Sequence, residues 1–119
     1  MTTAKQLVEV ITQGIQEKKG QEIVIVDMQG IEGAICNYFV ICTGNSPTQV
    51  SAIMDSVEDM ARDKAGEKPI RVVGEQQAQW IAMDYVDVMV HIFLPETREY
   101  YNIERLWEDA KVDAIPNID

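Results

Sequence analysis

The residues of this chain best suited to catalysis are two aspartates, Asp84 and Asp87, and one serine, Ser46. Two carboxylates on one face of a strand could hold a pair of metal ions, and such a pair assists phosphoryl transfer. Strand side chains alternate between faces, so a shared face needs a spacing of two, whereas Asp84 and Asp87 are three apart. Only a bulge at Tyr85 would bring the two carboxylates together. We therefore rank catalysis below binding.

The other reactive side chains are one histidine and two cysteines, and the sequence offers none of them a catalytic partner. His91 lies in the middle of a predicted strand, where we expect a structural residue that makes a hydrogen bond. Cys36 and Cys42 form neither a C-x-x-C pair nor a metal-binding spacing with His91. We expect no catalytic residue, no metal ion and no cofactor, and we expect reduced thiols in a cytoplasmic protein.

The clearest local signal is the segment 43–47, with the sequence TGNSP, which follows a run of aromatic and β-branched residues. Ser46 is a favoured helix N-cap, Pro47 fits the first helical position, and Gln49 completes a capping box. A glycine turn before a helix could also bind phosphate. The segment lacks the glycine-rich phosphate-binding patterns, and residues 21–61 contain no lysine or arginine. We therefore prefer the capping interpretation.

Hydrophobic periodicity predicts the elements that must position these residues. Apolar stripes at spacings of three and four predict helices over residues 3–18, 47–65 and 96–110. Short β-branched and aromatic runs predict strands over residues 22–27, 38–42, 70–73, 80–83 and 86–94. Asp27, at the end of the first strand, is expected to accept hydrogen bonds in a turn. This order predicts an α/β (α+β) fold over residues 1–119, a single domain with helices packed on a mixed five-stranded sheet and an irregular acidic tail.

The composition bounds the choice of partner. The chain has 119 residues, 46% of them hydrophobic, and 20 acidic against 10 basic residues give a formal net charge of −10. Phosphate binding needs a basic patch, so we expect no direct contact with nucleic acid. An acidic surface suits a basic protein partner, although the need for solubility could by itself account for the charge. No apolar run reaches membrane-spanning length, and the N-terminal residues lack a signal-peptide pattern, so we expect no membrane association.

Four segments in the same order resemble a known family. They are YFVICTGNS at 38–46, a Gly-Glu segment that leads to Trp80, WIAMDYVDVMVHIF at 80–93, and TREYYNIERLW at 97–107. Together they resemble the ribosomal silencing factor family, also called RsfS or Iojap, over nearly the whole chain. The resemblance implies a fold like that of nucleotidyltransferases but without their catalysis. It implies binding to the large ribosomal subunit through ribosomal protein L-fourteen, which would stop the small subunit from joining and repress translation when nutrients are short.

We expect the binding site to be centred on Trp80. A tryptophan at the start of a strand, after a polar loop, is well placed to be partly exposed, and tryptophan is enriched among interface hot spots. Without the resemblance, a core tryptophan would be an equal alternative. Further partner-binding residues are expected in three roles: an extension of the patch at Met83 and Tyr85, a negatively charged rim at Glu75, Asp84 and Glu99, and a nearby basic group at Arg98. Trp107 is assigned to packing, on one helix face with Tyr100 and Ile103.

Two alternatives to a ribosome-binding inhibitor remain. One is a nucleotidyltransferase-like enzyme that uses Ser46, Asp84 and Asp87. The other is a homodimeric interaction module, because exposed aromatic and methionine side chains between residues 83 and 93 could pair two copies of the chain.

Three positions depart from the family pattern. Asn37 stands where aspartate is usual, Ile103 where leucine is frequent, and Val86 where glycine is usual. Val86 is the departure with the largest expected effect, because a β-branched residue disfavours positive φ. If the family turn needs positive φ, the loop at Val86 is expected to have a different shape.

Overall fold

The computed structural model describes residues 3–107 and 109–117. The elements follow the order α1 (Ala4–Glu17), β1 (Gln21–Asp27), β2 (Tyr38–Thr43), α2 (Pro47–Ala65), β3 (Arg71–Val73), β4 (Trp80–Asp84), β5 (Val88–Phe93), α3 (Pro95–Tyr101), a 3-10 helical segment (Ile103–Trp107) and β6 (Lys111–Ile115). The predicted α+β class is confirmed, and the five predicted strands are present. The sheet has six strands rather than five, because the tail that was expected to be irregular forms β6.

The strands pair in the order β3-β4-β5-β2-β1-β6. The central pair, β2 and β5, is parallel, with Tyr38 opposite Val88 and Thr43 opposite Phe93. All the other neighbours are antiparallel. The mixed sheet expected from the element order is therefore present.

Helices α1 and α2 cover one face of the sheet, which we call the helix face. Gly14 lets the two helices approach closely, because a Cβ atom at this position would lie 3.0 Å from the Cα of Val57. The hydroxyl of Ser56 donates a hydrogen bond of 2.7 Å to the carbonyl of Gly14 across the same contact. The larger of two apolar clusters fills the space between these helices and the sheet.

The opposite face, which we call the open face, is covered only in part. A smaller buried cluster contains Val26, Met28, Phe39, Ile41, Phe93 and Ile103. Towards β3 and β4 the cover is thinner: Ala82, Asp84 and Met89 are half-buried, and Val73 is 44% exposed. This part of the sheet therefore presents side chains to solvent.

The start of α2 has the cap that its sequence predicts, with one difference. The hydroxyl of Ser46 accepts a hydrogen bond of 3.1 Å from the backbone N–H of Gln49. The Gln49 side chain accepts one of 2.6 Å from the N–H of Asn45, not from that of Ser46, so the capping box is shifted by one residue. Asp27 likewise has its expected role, because its carboxylate accepts from the N–H of Gln29 at 3.0 Å.

The predicted helix over 96–110 is wrong in its second half. α3 ends at Tyr101, because Asn102 adopts the left-handed conformation with φ 45°. Asparagine tolerates this conformation, which ends a helix. Tyr100 is 82% exposed while Ile103 is buried, so these two residues do not share a packing face. The side chain of Trp107 lies outside the described residues.

The β4–β5 connection is a tight turn in which Val86 has φ 74°. The N–H of Asp87 donates to the carbonyl of Tyr85 at 2.9 Å, which closes a three-residue γ-turn. The Asp84 carboxylate accepts from the N–H of Val86 at 2.8 Å and supports the turn. Val86 therefore adopts a positive φ, although a β-branched side chain disfavours this conformation.

We predict that Val86→Gly raises the free energy of unfolding by about 1 kcal/mol, because glycine relieves the strain of positive φ. Urea denaturation measures this change. The matched control is Val112→Gly in β6, where the valine is 52% exposed and lies in regular strand. Glycine there should lower stability by about 0.5–1 kcal/mol. A loss of stability in both variants would contradict a strained turn at Val86.

Candidate functional site

A continuous row of four aromatic rings lies at the edge of the open face. Trp80 stacks on Phe93 with ring centroids 4.9 Å apart, and its ring meets that of Tyr101 at a tilt of 45° with centroids 4.8 Å apart. Tyr101 in turn meets Tyr100 edge to face at 5.0 Å. We call these residues the aromatic row: Phe93, Trp80, Tyr101 and Tyr100. It runs from a fully buried ring to one that is 82% exposed.

Three elements position the row. Trp80 and Phe93 are direct partners across the β4–β5 pair, so their rings meet on the same face. Tyr101 comes from the last position of α3. The loop before β4 packs closely on the Trp80 backbone at Gly74, where φ is 87° and an added Cβ would lie 2.0 Å from the Trp80 carbonyl oxygen. Only glycine fits that approach, so this loop fixes where β4 begins.

His91 holds the polar end of Trp80. The indole N–H donates a hydrogen bond of 3.0 Å to Nδ1 of His91, which carries the ring proton on Nε2 when it is neutral. His91 is 5% exposed, and burial lowers its pKa to about 4. Its Nε2 is buried and has no hydrogen-bond partner within the described parts of the chain. His91 is thus a neutral structural residue, and Trp80 can offer a partner only its ring surface.

Arg98 connects α3 to the ends of two strands. Its Nε donates to the Glu104 carboxylate at 2.7 Å, and its Nη1 donates to the Glu22 carbonyl at 2.6 Å and the Thr43 hydroxyl at 2.9 Å. The Arg98 side chain is 13% exposed. A shallow groove of about 450 Å³ lies beside it. The basic group expected near the site is therefore occupied within the chain and fixes α3.

Met83 and Tyr85 do not lie beside Trp80 on an exposed surface, and this part of the expected site is wrong. They are 0% and 5% exposed and belong to the cluster on the helix face. Strand alternation explains the difference: Trp80, Ala82 and Asp84 point to the open face, while the residues between them point to the helices. Met83 and Tyr85 can support β4 from behind but cannot touch a partner that contacts Trp80.

The three acidic residues expected around the site differ in exposure. Glu75 and Glu99 are exposed, whereas Asp84 is half-buried and its carboxylate already accepts a hydrogen bond from the turn. The sequence interpretation did not include Tyr101 or Tyr100 in the site. The sequence feature that could have indicated them is the adjacent pair of tyrosines just after Arg98. The sequence interpretation places this pair inside the longer predicted helix over residues 96–110.

The residues considered for catalysis do not converge. Ser46 lies three residues after the end of β2, whereas Asp84 and Asp87 lie beside the first residues of β5, at the opposite end of the parallel pair. Six residues of strand separate the two ends by about 20 Å. Among residues 3–107 and 109–117, no group of three or more histidine, cysteine, aspartate or glutamate side chains could hold a metal ion.

The thiols of Cys36 and Cys42 have raised pKa values. Burial raises the pKa of Cys42 to about 12 and that of Cys36 to about 11. Both thiols therefore stay protonated at neutral pH and are weak nucleophiles.

The fold and this surface define a class: a small α+β protein that presents a fixed aromatic row on a partly uncovered sheet. Comparison with known proteins gives the family. The family model described as "Ribosomal silencing factor during starvation" matches residues 1–119, and the chain belongs to this family, RsfS. The resemblance inferred from the sequence motifs is confirmed. No helix in the described part of the chain is both long and apolar enough to span a membrane.

Individual relatives agree with this assignment. A protein named ribosomal silencing factor RsfS from Halalkalibacterium halodurans is 38% identical over 114 residues, covering 96% of this chain and 96% of the relative. A crystal structure of a protein from Chromobacterium violaceum superposes with a TM-score of 0.84 at 28% identity, covering 89% of this chain and 87% of that one. A mouse protein named "Mitochondrial assembly of ribosomal large subunit protein 1" is 26% identical, covering 87% of this chain and 46% of the relative.

The lowered pKa of His91 predicts a loss of stability in mild acid. The folded-state pKa, about 4, lies below the ordinary value of 6.5, so the unfolded chain takes up the proton first as the pH falls. Stability from this residue is complete above pH 6.5 and is lost between about pH 6.5 and 4. We expect a loss of about 2 kcal/mol between pH 7 and pH 5, measured by urea denaturation.

The control is His91→Asn, which keeps an acceptor for the Trp80 N–H but does not titrate in this range. The variant should lack most of the loss that the parent protein shows. Equal losses in both proteins would assign the acid sensitivity to carboxylates and not to His91.

The Arg98 contacts predict a large effect of truncation. Arg98→Ala should lower the free energy of unfolding by about 2–3 kcal/mol, because it removes an ion pair and two hydrogen bonds and leaves Glu104 without its partner. Glu99→Ala, at the exposed neighbouring position, should change it by less than about 0.5 kcal/mol. If both variants are equally stable, Arg98 does not fix α3 as described.

Proposed function

We propose that this protein is a ribosomal silencing factor that binds the large ribosomal subunit through ribosomal protein L-fourteen. The bound protein blocks joining of the small subunit and so represses translation under nutrient limitation. The observation that carries the proposal is the family match over residues 1–119. The names of two relatives, a ribosomal silencing factor and a mitochondrial large-subunit assembly protein, support a ribosomal partner.

The geometry of the open face supports a protein-binding role. Trp80 has its indole N–H satisfied by His91 and its ring held by Phe93, so it is ordered before a partner arrives. Side chains that are already ordered lose little entropy on binding, and tryptophan is a frequent hot-spot residue. In this proposal Trp80 makes the central contact. Glu75, Asp84 and Glu99 attract a basic partner, Arg98 positions α3, and Met83 and Tyr85 support β4 from the helix face.

The proposed mechanism is steric and involves no bond formation. A protein of this size that covers part of the subunit interface excludes the small subunit by occupying its place. The formal charge of −10 favours rapid encounter with a basic ribosomal protein and disfavours contact with RNA. The proposal needs no cofactor, and it places the protein in the cytoplasm because that is where its proposed partner acts.

Trp80→Ala should weaken binding to isolated large subunits by more than about tenfold, as expected for truncation of an interface hot spot. Co-sedimentation at moderate salt measures the affinity, and circular dichroism checks that the variant is folded. Val112→Ala is the matched control, because this exposed valine lies in β6 at the far edge of the sheet. Wild-type affinity in a folded Trp80→Ala variant would show that the site is misplaced.

A subunit-joining assay tests the function itself. Added protein should reduce the yield of complete ribosomes from separated subunits, and the Trp80→Ala variant should reduce it less. Calorimetry with Mg²⁺ and nucleoside triphosphates tests the enzyme alternative that uses Ser46, Asp84 and Asp87. Binding heat or turnover would favour that alternative over a steric inhibitor.

A homodimer is the second candidate, and it is supported by the short edge strand β3. Ile70, just before β3, and Val73, its last residue, are 69% and 44% exposed. Exposed strand edges pair readily with other strands. Light scattering of the free protein separates a monomer from a dimer and leaves the ribosome-binding proposal intact in either case.

A further inference from the structure

The aromatic row extends beyond the residues expected to bind a partner. Tyr101 and Tyr100 are 53% and 82% exposed, and both lie on α3 rather than on the sheet. Tyr101 contacts Trp80 directly, so a partner that covers the exposed part of Trp80 also meets α3. The two tyrosines therefore enlarge the surface in one direction, away from the sheet and along the helix.

The charges around the tyrosines indicate which chemistry they suit. α3 also carries Glu96 and Glu99, both exposed. The face of a tyrosine ring attracts cations, and a neighbouring carboxylate strengthens that attraction. Of the two basic side chains, the planar guanidinium of arginine stacks on aromatic rings and pairs with carboxylates in a fixed geometry, whereas the ammonium of lysine is more strongly hydrated.

The basic residue of α3 itself does not occupy these rings. Arg98 points to the other side, where it contacts Glu104, Glu22 and Thr43, and its side chain is 13% exposed. A helix of seven residues is too short to be stable alone, so these contacts keep it in place. Arg98 is thus a positioning residue that does not itself compete for the tyrosine faces.

We propose that Tyr100 and Tyr101 form an arginine-binding extension of the Trp80 surface, which takes guanidinium groups from a basic protein partner. This inference rests on the proposed function for the identity of that partner. It adds which side chains of the partner are recognised and which residues of this chain recognise them.

The first test measures affinity for large ribosomal subunits with conservative and non-conservative variants. Tyr100→Leu should weaken binding roughly three- to fivefold, and Tyr100→Leu combined with Tyr101→Leu should weaken it roughly tenfold or more. Tyr100→Phe and Tyr101→Phe keep the ring faces and should stay within about twofold of the parent protein. Leucine keeps an apolar side chain at each position, so a loss that phenylalanine rescues reports the ring face.

The second test uses no ribosome. Titration with an arginine hexapeptide should shift the ring resonances of Tyr100 and Tyr101 in NMR spectra, and a lysine hexapeptide of equal charge should shift them less. Equal shifts with the two peptides would overturn the preference for arginine.

The outcomes separate this inference from the proposed function. If the parent protein binds large subunits and the leucine variants bind equally well, the inference is wrong and the proposed function stands. If phenylalanine weakens binding as much as leucine does, the hydroxyl groups and not the ring faces are recognised, which also overturns it. If the parent protein does not bind large subunits, the proposed function is wrong, and so is this inference, which rests on it.

Discussion

The hydrogen bond between the Trp80 indole and His91 is the interaction on which the surface of this protein depends. It connects neighbouring strands β4 and β5 on the open face and fixes the plane of the half-buried Trp80 ring. Because the polar atom of the indole is satisfied internally, the ring can lie at the surface without needing a polar partner. The neutral state of the buried imidazole is a condition for this arrangement, since a protonated imidazole has no acceptor to offer.

The local structure of the chain follows closely from its sequence. The cap at Ser46, the turn at Asp27 and the bounds of α2 all depend on residues within a few positions of one another, so short patterns predict them. The face on which Met83 lies was predictable as well, because a spacing of three from Trp80 places it on the opposite side of a regular strand. That error came from grouping residues by proximity in sequence instead of by strand parity.

Other features needed the tertiary structure. The contact between Trp80 and His91 depends on the register of β4 against β5, which no local pattern specifies. β6 was missed because its residues are mostly exposed, so the strand carries almost no hydrophobic pattern. Tyr100 was misassigned because its spacing to Ile103 fits a helix, whereas the left-handed Asn102 between them ends α3. Sequence reasoning thus missed the contacts of Trp80 with His91 and Tyr101, because each joins segments that no local pattern brings together.

The parallel pairing of β2 with β5 has a consequence for how the chain folds. The hairpins β1–β2 and β4–β5 each join strands close in sequence, whereas their junction brings together residues about fifty positions apart. Long-range pairing of this kind loses loop-closure entropy before the contacts between the strands stabilise it, so it slows folding. Pairing of β2 with β5 at the centre of the sheet is therefore expected to be the slow step of folding. Formation of α2, which spans part of the intervening chain, shortens the loop that this pairing must close.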